Sequence, residues 1–206
     1  MKFPSVWRIL SITALMVVCL FSATAYAAQI NVQGSATGSF ADTYGGRLGY
    51  TAANFNVTTG LAGNFSNISL GTVAFNAGPC IFGCGYGTDF TSTITISVPS
   101  GSTPAPSQQT ATVNGWALWG GGQLALTFAT PSVNFTYLNG QGSGGFTLTL
   151  QNLTVTDSGS GSGQGTLLGS ITNATFSPTP EPGSVGLLLS VLVGVGYTLR
   201  KRFSAA

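Results

Sequence analysis

Phe90-Thr91-Ser92-Thr93-Ile94-Thr95-Ile96-Ser97-Val98 decides the fold. Phe90, Ile94, Ile96 and Val98 share one parity, and Thr91, Thr93, Thr95 and Ser97 the other. A period of two sends one set to each face of an extended chain, so this is a strand with an apolar side and a hydroxyl side. The same alternation recurs downstream in Leu124, Leu126 and Phe128, in Val133, Phe135 and Tyr137, and in Phe146, Leu148 and Leu150. At Gln151-Asn152 the parity flips to Leu153 and Val155, which predicts a β-bulge or a strand crossing. Further strands are predicted over 29–40, 48–58, 65–75, 111–119 and 166–176. The total is about nine, separated by Gly, Pro and Ser clusters such as Gly45-Gly46, Gly120-Gly121-Gly122 and the run 158–165. No helical period appears before residue 178. The fold class is therefore all-β, an antiparallel β-sandwich or barrel-like domain.

Composition limits what such a domain does. Between residues 28 and 177 the only charged residues are Asp42, Arg47, Asp89 and Asp157, so the net charge there is one minus three, or −2; the whole-chain value of +2 arises at the two ends. Nucleic acid requires a basic footprint, and Arg47 alone is not one. The chain contains no His. That removes Ser-His-Asp and Cys-His nucleophile arrangements and His-containing zinc sites. A hydrolase would have to use two of the three Asp residues, and no surrounding pattern supports this. The expectation is a protein that is not an enzyme, with no cofactor and no metal site. Outward Thr and Ser replace the charged residues that discourage edge-to-edge strand pairing, so self-association is a further expectation.

Cys80 and Cys84 bracket Ile81-Phe82-Gly83. Outside the cytoplasm two cysteines this close are expected to form a structural disulfide, whose short loop is worth about 2 kcal/mol. Trp116-Ala117-Leu118-Trp119 places its two indoles on opposite faces of a strand. One packs inward; the other is a candidate platform for a sugar face. An internal echo links Leu61-Ala-Gly-Asn-Phe65-Ser-Asn67-Ile-Ser-Leu70 to Leu167-Leu-Gly-Ser-Ile171-Thr-Asn173-Ala-Thr-Phe176. Two equivalent strands would produce it, and so would chance in so biased a composition.

Both ends read as targeting segments. Residues 1–27 have the form of a secretory signal: Lys2 and Arg8, an apolar run over 9–21, then Ala25-Tyr26-Ala27, which leaves Ala28 as the new N-terminus after signal peptidase. At the other end, 183–199 is a stretch of 17 residues without a charge. As a helix it is about 26 Å long, a short span for a ~30 Å hydrocarbon core. Its nine Leu and Val residues favour insertion by roughly 3–5 kcal/mol. Pro180 and Pro182 hold the helix start behind them. Arg200-Lys201-Arg202 is a topology signal that stays cytoplasmic and leaves 28–177 outside.

Pro180-Glu181-Pro182, Gly183-Ser184, a short Gly/Leu/Val helix and a basic end, taken in that order, resemble the PEP-CTERM sorting signal. The resemblance covers about the last 27 residues. It implies recognition and processing by exosortase, a membrane-embedded cysteine transpeptidase-like enzyme. It also implies export across the inner membrane of a Gram-negative bacterium that makes exopolysaccharide, with transient anchoring before release to the envelope surface or matrix. It carries no implication about the cargo domain. The expected organisation is thus a signal peptide (1–27), a β-rich extracytoplasmic domain (28–177) and a sorting tail (178–206) with a single transmembrane helix. The expected function is structural or interactive within envelope or exopolysaccharide matrix. A carbohydrate-binding module using Trp116 or Trp119 is the alternative, and an Asp-dependent hydrolase the remote one.

Overall fold

A computed structural model describes residues 26–27, 29–60, 63–77, 80, 82–118, 121–157, 161–179, 190–194 and 196. The strands are β1 (Tyr26–Ala27), β2 (Asn31–Phe40), β3 (Leu48–Thr58), β4 (Phe65–Asn76), β5 (Cys84–Val98), β6 (Ser107–Leu118), β7 (Gly121–Phe128), β8 (Ser132–Asn139), β9 (Gly142–Leu150), β10 (Leu153–Asp157) and β11 (Ser162–Pro178). Ten of them form one antiparallel path, β10-β7-β6-β5-β2-β3-β4-β11-β9-β8, and β1 adds to β11. The all-β class is as the alternation requires. The architecture is one curled sheet, a half-barrel, rather than two separate sheets.

The curl comes from strands that serve both wings. β3 pairs with β4 through Leu48 to Ala52 and with β2 through Ala53 to Thr58. Its inward parity changes at the same place, from Leu48 to Phe55, with Thr51 and Ala52 both exposed between them. A chain that changes partner must also change which face looks inward, and this is the corner of the sheet. The Gln151-Asn152 flip is a second transfer: β9 pairs with β8 and β11, whereas β10 pairs with β7. Of the two expected causes, the structure has the crossing. Asn152 secures it, its Oδ1 accepting the Phe128 N–H at 3.0 Å.

The core lies in the concavity. Phe75, Phe90, Phe135, Ile68, Leu70, Ile94, Leu124, Leu126, Leu148, Leu167, Ile171 and Val32 are fully buried there. Phe90 packs against Phe40 and Tyr50 with ring centroids 5.0 and 5.2 Å apart. Each such ring buried removes enough apolar surface from water to contribute about 1.5–3 kcal/mol. Gly122 on β7 leaves room for the Phe75 ring of β4; a Cβ there would sit 2.8 Å from it.

The internal echo is structural. β4 and β11 are antiparallel neighbours, and Phe65 pairs with its sequence equivalent Ile171. Gly169 pairs with Ile68, while the equivalent contact joins Gly63 to Ala174, whose N–H donates to the Gly63 carbonyl at 3.0 Å. Asn67 and Asn173 hold the same unusual backbone, with φ of 60° and 56°. The two segments are thus related by a local pseudo-two-fold axis. Asn tolerates the left-handed region better than other non-Gly residues, which is why Asn recurs at that position.

Residues 190–194 and 196 are helical, and among the described residues no helix is long and apolar enough to cross a membrane. Most of the expected 183–199 helix, with Pro180, Glu181, Pro182, Arg200, Lys201 and Arg202, lies outside the described residues, as do Ala25 and Ala28. Tyr26 and Ala27, the end of the expected signal, pair with Phe176 and Thr175.

Candidate functional site

Two regions at opposite ends of β5 hold chemistry. At the first, β5 begins at Cys84, opposite Ala117. Trp116 points outward on β6 and is 54% exposed. It sits in a cross-strand row, Gly85 to Trp116 to Gln123 to Thr156. The next row is Gly87, Asn114, Ala125 and Thr154. A Cβ at Gly85 or Gly87 would meet nothing within 4 Å. The indole therefore stands beside bare backbone, with the Asn114 and Gln123 amides and threonine hydroxyls around it. An apolar ring face bordered by neutral hydrogen-bonding groups is what a pyranose offers in return. Trp119 lies outside the described residues. Leu118, half exposed, and Phe82, 98% exposed, extend the apolar surface at this end.

Cys80 and Cys84 are joined as a disulfide, with Cα atoms 5.7 Å apart, and the loop they close carries Phe82. Sequence reasoning placed this pair but missed its surroundings. The Arg47 guanidinium lies 3.0 Å from Cys80 Sγ and 3.4 Å from the Tyr86 hydroxyl. Tyr86 in turn packs edge-on against Tyr44 and Phe75 at 5.1 and 5.2 Å. The only basic residue of 28–177 is thus spent on holding the loop. Its distance in sequence from the cysteines left no local signal.

Asp42 and Asp89 are exposed neighbours, the Ala41 N–H donating to the Asp89 carbonyl and the Asp42 N–H to the Thr88 hydroxyl. Asp89 is exposed on the outer side of β5, whereas Asp157 is buried and faces the concavity from β10. Asp42 Oδ1 accepts the Tyr44 N–H at 2.7 Å and so caps a turn. Among the described residues no group of three His, Cys, Asp or Glu comes together.

The second region was not anticipated. A cleft of about 320 Å³ opens where β2 begins and β5, β8 and β11 end. Tyr137, Phe176, Ile30 and Pro99 supply its apolar walls, and Gln29, Asn31, Asn139 and Gln141 its amides. Among the described residues no charged side chain lines it. The Tyr137 hydroxyl donates to the Thr175 carbonyl at 2.8 Å, which fixes the ring, and burial raises its pKa above the usual phenol value. The lining comes from residues far apart in sequence, which is why no motif announces it. Val98 belongs to this cleft and Gly85 to the Trp116 row, so the two regions are roughly 40 Å apart along β5 at ~3.3 Å per residue.

Comparison of the chain with protein-family models, with curated proteins and with solved structures gives no match.

Proposed function

We propose that this chain is an exported, non-enzymatic interaction protein of the cell envelope or exopolysaccharide matrix of a Gram-negative bacterium. Residues 1–27 direct export and are removed by signal peptidase. The 183–199 helix holds the product in the inner membrane, and exosortase processes it at Pro180-Glu181-Pro182. One observation carries the reading beyond the tail sequence: both chain ends leave the β domain at one pole. Gln29 and Phe176 line the same cleft. A domain tethered there carries its Trp116 row at the far end of β5 from the tail, up to roughly 40 Å away along the strand. The charge-poor, hydroxyl-rich faces suit a neutral, hydrated matrix.

The exposed Trp116 row favours carbohydrate as the partner at the outer end. The test is to express the chain in its host with and without 178–206, then to follow envelope and medium fractions. The full chain is expected at the envelope and as a shortened product, and the truncated chain in the medium at its unprocessed length. Identical distributions of the two would refute the sorting reading. For the partner, Trp116→Ala is expected to abolish co-sedimentation with purified host polysaccharide while leaving the fold intact; unchanged co-sedimentation refutes the platform.

A further inference from the structure

We infer that the cleft at the tail-proximal pole, whose described lining includes Gln29, Asn139, Gln141, Tyr137 and Phe176 and carries no charged side chain, is a binding site for one or two rings of a neutral saccharide. This goes beyond the sorting reading and does not depend on Trp116, which lies at the other pole. The volume, about 320 Å³, falls at the small end of the range for ligand sites. An ionic ligand would lose its hydration there with no oppositely charged side chain among the described lining residues to receive it. A wholly apolar ligand would strip water from the amides and leave them unpaired. A sugar ring satisfies both halves of the lining: its C–H face lies against Tyr137 and Phe176, and its hydroxyls meet the amides.

The amides are available. The Gln29 and Gln141 side chains make no hydrogen bond among the described residues. Asn139 Oδ1 accepts the N–H groups of Gln141 and Gly142 at 3.0 and 3.1 Å, so its oxygen is spent and its amide N–H groups remain as donors in a fixed orientation. Asn31 is held by Asn56 at 2.9 Å and accepts from Gln33, which makes it wall rather than contact. The apolar wall is set by the bond from Tyr137 to Thr175. The Tyr137 ring and the Asn139 amide are therefore set before any ligand arrives, whereas the exposed Gln29 and Gln141 side chains order on binding.

The test uses the full chain in a detergent without a sugar headgroup. Saturation-transfer NMR is recorded with glucose, galactose, N-acetylglucosamine and cellobiose at up to about 10 mM, the range of weak binding. Transfer to ring protons of at least one sugar is expected. It should fall about fivefold or more in the Gln29→Ala/Gln141→Ala double variant and vanish in Ser100→Trp, which fills the mouth from an exposed position. It should survive Trp116→Ala. Matching thermal melts keep misfolding out of the comparison. No transfer from any of the four sugars, transfer undiminished in both cleft variants, or transfer lost in Trp116→Ala alone would each overturn the assignment. So would displacement of the sugar by an extended peptide of uncharged residues, which would make the cleft a peptide site.

Discussion

Replacing Asn67 and Asn173 tests the pseudo-two-fold account of β4 and β11 most sharply. Both residues have left-handed backbone, at φ 60° and 56°, and both side chains are exposed. The effect of substitution is therefore a backbone effect, free of core packing. An ordinary L-residue in this region costs about 1–2 kcal/mol, and Asn is partly excused from that cost. Asn67→Ala and Asn173→Ala are each expected to destabilise by about 1 kcal/mol, and the double variant by about 2 kcal/mol. For a domain of this size each kcal/mol lowers the melting midpoint by about 2–4 °C. Asn67→Gly and Asn173→Gly remove the steric conflict and should lie within about 0.5 kcal/mol of the parent. Thermal melts followed by circular dichroism read all five variants. If Gly costs as much as Ala, the side chains rather than the backbone matter, and the reasoning fails. If one site responds and its equivalent does not, the symmetry is superficial.

Two further outcomes follow from the interior. The Tyr50 phenol donates to the Leu70 carbonyl, and burial pushes its pKa from 10.0 up to about 12. The neutral form is the folded form, so its contribution is fully present below pH 10 and is lost as pH rises toward 12, while the unfolded chain ionises first. Tyr50→Phe should cost about 1 kcal/mol at neutral pH through the lost hydrogen bond, and should flatten the decline between pH 10 and 12 in denaturant titrations; an unchanged alkaline slope counts against this assignment. Ser92 is fully buried beside Gln109 on β6, and neither Ser92 Oγ nor Gln109 Oε1 has a partner among the described residues. Ser92→Ala deletes one orphan hydroxyl and should raise stability by about 1 kcal/mol, read as a higher urea midpoint with unchanged m-value; a lower midpoint would mean that the hydroxyl is satisfied.

The sequence was legible where the period of two ran unbroken. β5, β7, β8 and β9 have regular alternation along their apolar positions, and the crossing at Gln151-Asn152 left a parity flip that any reader can count. The curl was less legible. Its corner in β3 is marked only by Thr51 and Ala52, two small residues between Leu48 and Phe55, and a stretch with few large apolar residues hides such a flip. At Gly71, with φ 142°, β4 also shifts its inward parity, from Leu70 to Val73, beside a register shift in its pairing with β11. The Leu-x-Gly echo was visible, but only the φ values of Asn67 and Asn173 separate it from compositional coincidence. Among site residues, the exposure of Trp116 follows from its parity with Asn114 and Leu118. The cleft has no such signature, because its lining comes from residues 29–31, 98–100, 137–141 and 176, joined by topology alone.

The central claim is that the β domain is delivered and then released by its own two ends. Intact-mass spectrometry of the protein from membrane and extracellular fractions of its native host measures this directly. The account predicts a species beginning at Ala28 and ending within residues 180–184, enriched outside the inner membrane. A membrane species that retains Arg200-Lys201-Arg202, with no shorter form in any fraction, would contradict it and leave a permanently tail-anchored surface protein.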